Sequence, residues 1–373
     1  MKAYLMHGDK PCAIIDPEFH IILSILDKKE LPVGVYNDND MIMGTLYRNW
    51  LKSRTIPKGR PGLFNILNKI DKSMVDAFLD FHGVSLTDTY WIKEKDSPLT
   101  WKDVNFHENG FYPLFGNVYA GLKDLEWSPT PDFVTDGVME KFWMSIGGVP
   151  CLAKMDQKWQ NVQAANEVVV SKVTQALALK TRTAQYEYGK MGETPVCICP
   201  CFVTNERTDF VNALQVSHSG LSGRGESFFR QAYQEELDDM LFIDVLFGNV
   251  DRHDKNYGIL KTEQGESFAP IFDSGSCLGF NMTDPEDLKW IRLKYPSNDL
   301  SRQEAARLLK KDRNFPNEEL LFSILKTEYE KFSVPEFHYD MARNVLTTGM
   351  EIIKDSQKTF QIPGMDFFDR DFQ

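Results

Sequence analysis

Between Phe247 and Leu260 the chain reads Phe-Gly-Asn-Val-Asp-Arg-His-Asp-Lys-Asn-Tyr-Gly-Ile-Leu. Six consecutive polar residues, Asp251 to Asn256, stand between an apolar helical run that ends at Phe247 and an apolar strand that starts near Tyr257. A strand–turn–strand pattern follows: Tyr257-Gly258-Ile259-Leu260, then Gln264-Gly265-Glu266, then Phe268-Ala269-Pro270-Ile271, ending in Phe272-Asp273. An antiparallel ribbon of that length returns the chain to where it began. Asp273 is therefore expected beside Asn256, with Asp251 close by. The fold must hold three oxygen-bearing side chains at one end of a ribbon and bury a helix behind them.

The remainder has to supply that core. With 373 residues, 42% of them hydrophobic, the chain has material for roughly two to three domains or subdomains. Charged residues make up 26% and are interspersed with Phe, Leu, Ile and Val, which argues against disorder. A net charge of -12 argues against a broad nucleic-acid-binding face, which would be basic. No apolar run approaches a membrane-spanning length, and the N-terminus lacks the apolar core of a secretory signal. Six cysteines are too few for a disulfide scaffold in a chain this long. A cytoplasmic protein with reduced thiols is the expectation.

Taken in order, residues 1–127 read as an N-terminal accessory subdomain. Ala13–Pro17 and His20–Leu26 suggest strands, and Met43–Leu51 and Gly62–Leu79 suggest helices. The basic, breaker-rich segment Ser53–Gly62 reads as a solvated loop in preference to a phosphate or acidic-partner contact. The aromatics Tyr90, Trp91, Trp101, Phe106, Phe111 and Tyr112 suit packing against a neighbouring lobe. Ser128–Asp132 looks like a hinge into a β-rich lobe spanning residues 128–203. There Lys141–Ile146 and Val149–Met155 flank Gly147-Gly148, a two-residue hairpin signal. Val162 to Leu179 is periodic for a helix, and Val196–Val203 for a strand. Alternation puts Cys197, Cys199 and Cys201 on one face; with no matching fourth ligand they read as core or hinge rather than zinc ligands. Residues 204–373 are helix-rich, with one long helix over Glu226–Phe247 and closing helices over Pro316–Lys331 and Pro335–Lys354. Phe367, Phe368 and Phe372 sit in a tail that is either docked or frayed.

The chemistry of the opening stretch suits phosphoryl transfer, which needs alignment and charge neutralisation more than covalent help. Asp251 is placed to accept a hydrogen bond from an attacking hydroxyl. Asn256 and Asp273 offer the hard oxygen ligands that Mg²⁺ prefers. Arg252 and His253 brace the loop or reach the γ-phosphate. Lys154 lies in the apolar run Cys151–Met155, where a lysine needs a partner; Glu167, early in the next helix, can supply it. Such a pair is how kinases hold the α/β-phosphates. Gly137, Val138 and Met139 would belong to a loop over the phosphates, and Phe202, with the strand from Cys199 to Val203, would lie against the adenine. The absence of Gly-x-Gly-x-x-Gly argues against an ordinary eukaryotic-type protein kinase.

With these residues laid out, the chain resembles the HipA-like serine/threonine kinases, whose fold is similar to that of phosphatidylinositol 3-/4-kinases. Gly248–Asn256 looks like the family's catalytic motif, Ile271-Phe272-Asp273 stands where Asp-Phe-Gly would, Asn166-Glu167 looks like its Asn-Glu, and Gly137–Lys141 is similar to its phosphate loop. The resemblance implies an α+β, two-lobed protein-kinase-like fold, with a β-containing N-lobe (128–203), a helical C-lobe (204–373) and the accessory subdomain (1–127). It implies ATP- and Mg²⁺-dependent phosphorylation of Ser or Thr on a protein substrate. It also implies a small DNA-binding antitoxin as a partner for those members that are toxins, and an autophosphorylated hydroxyl near the phosphate loop, for which Thr135 and Ser145 are the nearest candidates. Neither direct nucleic-acid binding nor membrane insertion is expected. Two rivals remain at this level. One is a small-molecule or lipid-headgroup kinase, with Lys289, Arg292 and Lys294 receiving an acidic substrate. The other is a nucleotide-binding pseudokinase-like interaction module.

Overall fold

The computed structural model describes residues 2–60, 63–64, 67, 78–135, 137, 139–177, 179–204, 207–218, 225–295, 298–310, 315 and 317–360. The Phe-rich tail, most of the expected helix over Gly62–Leu79, and Val138 lie outside them.

An antiparallel sheet of order β3-β2-β1-β4 opens the chain: β1 (Ala3–His7), β2 (Lys10–Asp16), β3 (Ile21–Ile25) and β4 (Tyr90–Glu94). Helix α1 (Asp40–Ser53) is capped by Asn39, whose side chain accepts from the Met41 and Ile42 amides. Its Tyr47, Trp50 and Leu51 pack on Leu5, Ala13, Ile15 and Ile92 of the sheet. The expected strands and first helix are thus present. β1 is an addition, and it is covered on both faces: Ala3 and Leu5 join that core, Met6 another.

The basic segment after α1 is not a solvated loop. Arg54 and Arg60 are buried. Arg54 pairs with Asp88 and donates to the carbonyls of Gly83 (2.7 Å) and Tyr90 (3.1 Å). Arg60 bonds the Thr135 hydroxyl and the carbonyls of Thr135 and Gly137. A buried guanidinium is tolerable because acceptors surround it.

The second antiparallel sheet has order β5-β6-β8-β7: β5 (Lys141–Ile146), β6 (Val149–Lys154), β7 (Glu187–Met191) and β8 (Thr194–Pro200). β5 and β6 form the expected hairpin, and Gly147 (φ 58°) and Gly148 (φ 82°) carry the positive φ that a two-residue turn of this kind requires. Helix α2 (Val162–Ala176) packs against this sheet through Val169 and Val173, with Cys197 and Cys199 in the same core. Cys201 belongs to a different core, and all six cysteines are buried and unbridged. The Asp132 expected in a hinge is buried. Its carboxylate accepts from the amides of Phe115 (2.9 Å) and Trp143 (2.7 Å), stapling the chain's entry into the second sheet.

A third antiparallel sheet, β11-β10-β9, comprises β9 (Asp209–Asn212), β10 (Gly258–Thr262) and β11 (Gly265–Phe268). Met6, Trp91, Trp143, Cys201, Leu260 and Ala269 form one apolar cluster shared by all three sheets. The aromatic stretch around Trp91, Trp101 and Phe106 therefore does pack between units. The single helix expected over Glu226–Phe247 is two, α3 (Gly225–Ala232) and α4 (Gln234–Phe247), broken at Tyr233 (φ −136°, ψ 41°). Every residue of α4 from Leu237 to Phe247 is buried, so it is the central helix of the lobe. Its three buried acids each serve another segment: Asp238 accepts from the Lys310 amide, Asp239 from Thr181, and Asp244 from Arg252. The hairpin β12 (Arg292–Tyr295) and β13 (Asn298–Ser301) follows, then α5 (Arg302–Ala306), α6 (Glu318–Lys331) and α7 (Glu336–Phe360). The last two are the expected closing helices. Arg302, buried, donates to the carbonyls of Val245, Leu246 and Val345, which ties the end of α4 to α7.

Candidate active site

α4 ends at Gly248, whose backbone is left-handed (φ 63°) and whose missing side chain admits Val345 and Ile291 within 3.2–3.3 Å of a Cβ position. That sharp stop throws the polar stretch out of the core. Asn249 turns back, its side-chain amide donating to Asp244 Oδ1 (2.9 Å) while its Oδ1 accepts from the Asp251 amide (3.1 Å). Arg252 is buried: Nε and Nη2 grip the two oxygens of Asp244 at 3.0 Å each, and Nη1 reaches the carbonyls of Asn256 (2.9 Å) and Phe272 (2.8 Å). Burial acts against this charge, but Asp244 outweighs it and holds the guanidinium above its ordinary value. Arg252 is therefore a brace between two loops. One nitrogen touching both the Asn256 and Phe272 carbonyls sets Asn256 beside Asp273.

Asp251 is half-buried and His253 exposed, with its Nδ1 accepting from the Lys255 amide (3.2 Å). Asn256 is buried and donates its side-chain NH₂ to the Asp251 carbonyl (2.9 Å). That bond orients Oδ1 as the atom offered outward.

The segment after β11 runs alongside, with the Val250 amide bonded to the Ser276 carbonyl (3.1 Å). Asp273 adopts a left-handed backbone (φ 61°), unusual for any residue but Gly and best tolerated by Asn and Asp. Its Oδ1 lies 2.7 Å from Lys154 Nζ, which also lies 2.5 Å from Glu167 Oε1 and 5.1 Å from the centre of the Tyr186 ring. Burial disfavours the Lys154 charge, but Asp273 and Glu167 outweigh it and hold the ammonium well above its ordinary range. Burial likewise opposes ionisation of Asp273, yet Lys154 and then Lys141 outweigh it and hold this carboxyl well below the usual range. Glu167 is raised by burial, with Lys154 offsetting part of the effect. Its other oxygen accepts from the Ser274 amide (2.9 Å). The expected Lys154–Glu167 pair exists, and Asp273 joins it.

Lys141, the last residue of the expected phosphate loop, pairs with Lys154 in the β5–β6 register, so both side chains share one face of the sheet. Gly137 (φ 88°) is fixed through its carbonyl by Arg60, and Met139 packs on the large core. Phe202 is half-buried, its ring 5.6 Å from that of Phe272 and 5.8 Å from that of Phe210. Thr135 is buried with its hydroxyl bonded to Arg60 and to the Asp132 carbonyl, whereas Ser145 is exposed on β5. Lys289 and Arg292 have acidic neighbours in Glu286 and Glu304, which offsets part of that basic cluster's charge.

Among the described residues no cluster of three or more His, Cys, Asp or Glu could cage a metal ion. Asn256 and Asp273 provide two hard oxygen donors, which suits a cation that takes its other ligands from phosphate and water, as Mg²⁺ does. No helix among the described residues is long and apolar enough to cross a membrane.

No family model matches the chain. A stretch of 42 residues is 50% identical to the serine/threonine-protein kinase CtkA of Helicobacter pylori strain J99, and spans 11% of this chain and 13% of that protein. The crystal structure of the H. pylori proinflammatory kinase CtkA superposes with a TM-score of 0.44 at 18% identity, over 59% of this chain and 90% of that one. A chain from the Shewanella oneidensis MR-1 toxin–antitoxin complex of HipA, HipB and operator DNA superposes with a TM-score of 0.53 at 14% identity, over 98% of both chains. The fold is a kinase-like fold of the HipA type, as the resemblance in the sequence implied.

Proposed function

We propose that this chain is an ATP- and Mg²⁺-dependent kinase that phosphorylates Ser or Thr on a protein. The observation that carries the reading is the bridge from Lys154 to both Glu167 and Asp273, just past the end of the ribbon whose first strand, β10, starts two residues after Asn256. Lys154, with Lys141 on the same face of the sheet, binds and aligns the phosphates. Asp251 accepts the proton of the acceptor hydroxyl as its oxygen bonds the γ-phosphorus and the bond to ADP breaks. Asn256 and Asp273 would hold Mg²⁺, which when bound offsets charge on the phosphate oxygens. Phe202 and Phe272 give the base an apolar floor. Ion pairs join Lys154 to Glu167 and Asp273, and Arg252 ties the Asn256 and Phe272 carbonyls together, which supports an enzyme over a pseudokinase-like module. The HipA neighbour was solved with HipB and DNA, so a small DNA-binding antitoxin is the partner class we propose.

The test is transfer from γ-labelled ATP, run in parallel on protein, lipid and metabolite fractions of a lysate, followed by phosphoamino-acid analysis. Label in phosphoserine or phosphothreonine supports the proposal. Label only in lipid or small molecules overturns the choice of substrate, and no label in any fraction overturns the kinase reading.

A further inference from the structure

Residues 273–277 lie flat along the start of α2, and successive side chains of that helix hold them. Glu167 accepts from the Ser274 amide (2.9 Å). Asn166 donates to the carbonyls of Gly275 (3.0 Å) and Cys277 (2.8 Å). Gln163 donates to Ser276 Oγ (3.1 Å). The fit is close: a Cβ on Gly275 would stand 3.0 Å from the Gln163 carbonyl oxygen. Asn166 is fully buried, and both its NH₂ hydrogens are taken by the two carbonyls. Its Oδ1 accepts from the Tyr329 hydroxyl at 2.6 Å. Tyr329 is itself buried and belongs to α6, one of the two closing helices of the other lobe.

We infer that Asn166 and Tyr329 are positioning residues for Asp273, and that through them α6 sets the geometry of the cation site. This rests on the proposed nucleotide and metal roles of the cleft. The physical argument is one of orientation. The carbonyls of Gly275 and Cys277 can only accept, so the Asn166 amide turns its NH₂ to them and offers Oδ1 to the Tyr329 hydroxyl, the donor that satisfies it. Remove the hydroxyl, and the buried Oδ1 of Asn166 is left without a donor, which destabilises the amide in the pose that clamps the loop. The loop then loses its clamp two residues after Asp273, whose left-handed backbone needs support from its surroundings. Groups that orient a metal ligand without touching the metal still change its affinity. Sequence offers no sign of the link, because residues 166 and 329 are 163 positions apart.

The test uses the full chain with Mn²⁺ and a non-hydrolysable ATP analogue, following Mn²⁺ binding by electron paramagnetic resonance, with Tyr329→Phe and Asn166→Asp beside the wild type. Melting temperatures without ligand show that each variant is folded, and phosphate transfer is measured in parallel. Tyr329→Phe is expected to weaken Mn²⁺ binding by about 3- to 10-fold, less than the 10–100-fold range of a residue that contacts a ligand directly. Asn166→Asp, which sets an oxygen against two carbonyls, is expected to weaken it further. Wild-type Mn²⁺ affinity in a folded Tyr329→Phe protein overturns the inference even if its melting temperature has dropped. A wild type that binds Mn²⁺ and nucleotide but transfers no phosphate overturns the kinase reading and leaves the affinity comparison to decide this one. A wild type that binds neither overturns both.

Discussion

Arg252 and Asp244 form a two-pronged, fully buried ion pair, Nε to Oδ2 and Nη2 to Oδ1, that joins the end of the central helix to the loop carrying Asp251. The pair is more than a local tie, because the third guanidinium nitrogen bonds the carbonyls of Asn256 and Phe272. Replacing one partner leaves a buried charge uncompensated. Asp244→Asn is expected to destabilise the fold by about 3–5 kcal/mol. Urea unfolding checks this, and an unchanged midpoint would show that the pair is not what holds the loop.

Lys154 is shared by two carboxylates. Lys154→Met removes the cation between Glu167 and Asp273 and leaves Lys141 and Arg252 to offset their charge, so each carboxylate suppresses ionisation of the other more strongly. The nucleotide-induced thermal shift is expected to disappear, and any transfer activity to fall by about 100-fold or more. Calorimetric ATP titration is the direct check.

His7 joins the first sheet to the third, with Nδ1 2.6 Å from Glu30 and Nε2 2.7 Å from Asp209. Burial lowers its pKa, but the hydrogen bond and charge of Asp209, reinforced by Glu30, outweigh it, so the folded value lies above 6.5. The sign follows from linkage: this stabilisation is fully present below 6.5 and is lost as the pH rises through the folded value. The melting temperature should fall as the pH is raised above 6.5, and His7→Gln should flatten that dependence. Equal slopes in the two proteins would remove His7 as the cause.

Much of the site could be read from sequence because its signals are local. Gly147-Gly148 between two apolar runs admits little but a tight hairpin, and that hairpin places Lys154. The ribbon after Asn256 brings Asp273 back through one short turn at Glu263-Gln264. What could not be read depends on distant partners. Arg60 looks like part of a solvated basic loop because its acceptors, Thr135 and Gly137, lie 75 and 77 residues further on. The break at Tyr233 has no Gly or Pro to announce it. β1 shows only five residues of alternation, and burial on both sides blurs even that. Asn166 was legible as part of a motif, but its grip on the loop after Asp273 was not.

We propose that Asp251 and Asp273 serve phosphate transfer. The most direct measurement is single-turnover transfer from γ-labelled ATP by wild type, Asp251→Asn and Asp273→Asn, each shown to be folded by its melting curve. A loss of about 100-fold or more is expected in both variants. Asp251→Asn is expected still to bind nucleotide with metal, whereas Asp273→Asn is expected to lose the metal dependence of that binding. Transfer at the wild-type rate by either folded variant would contradict the proposal.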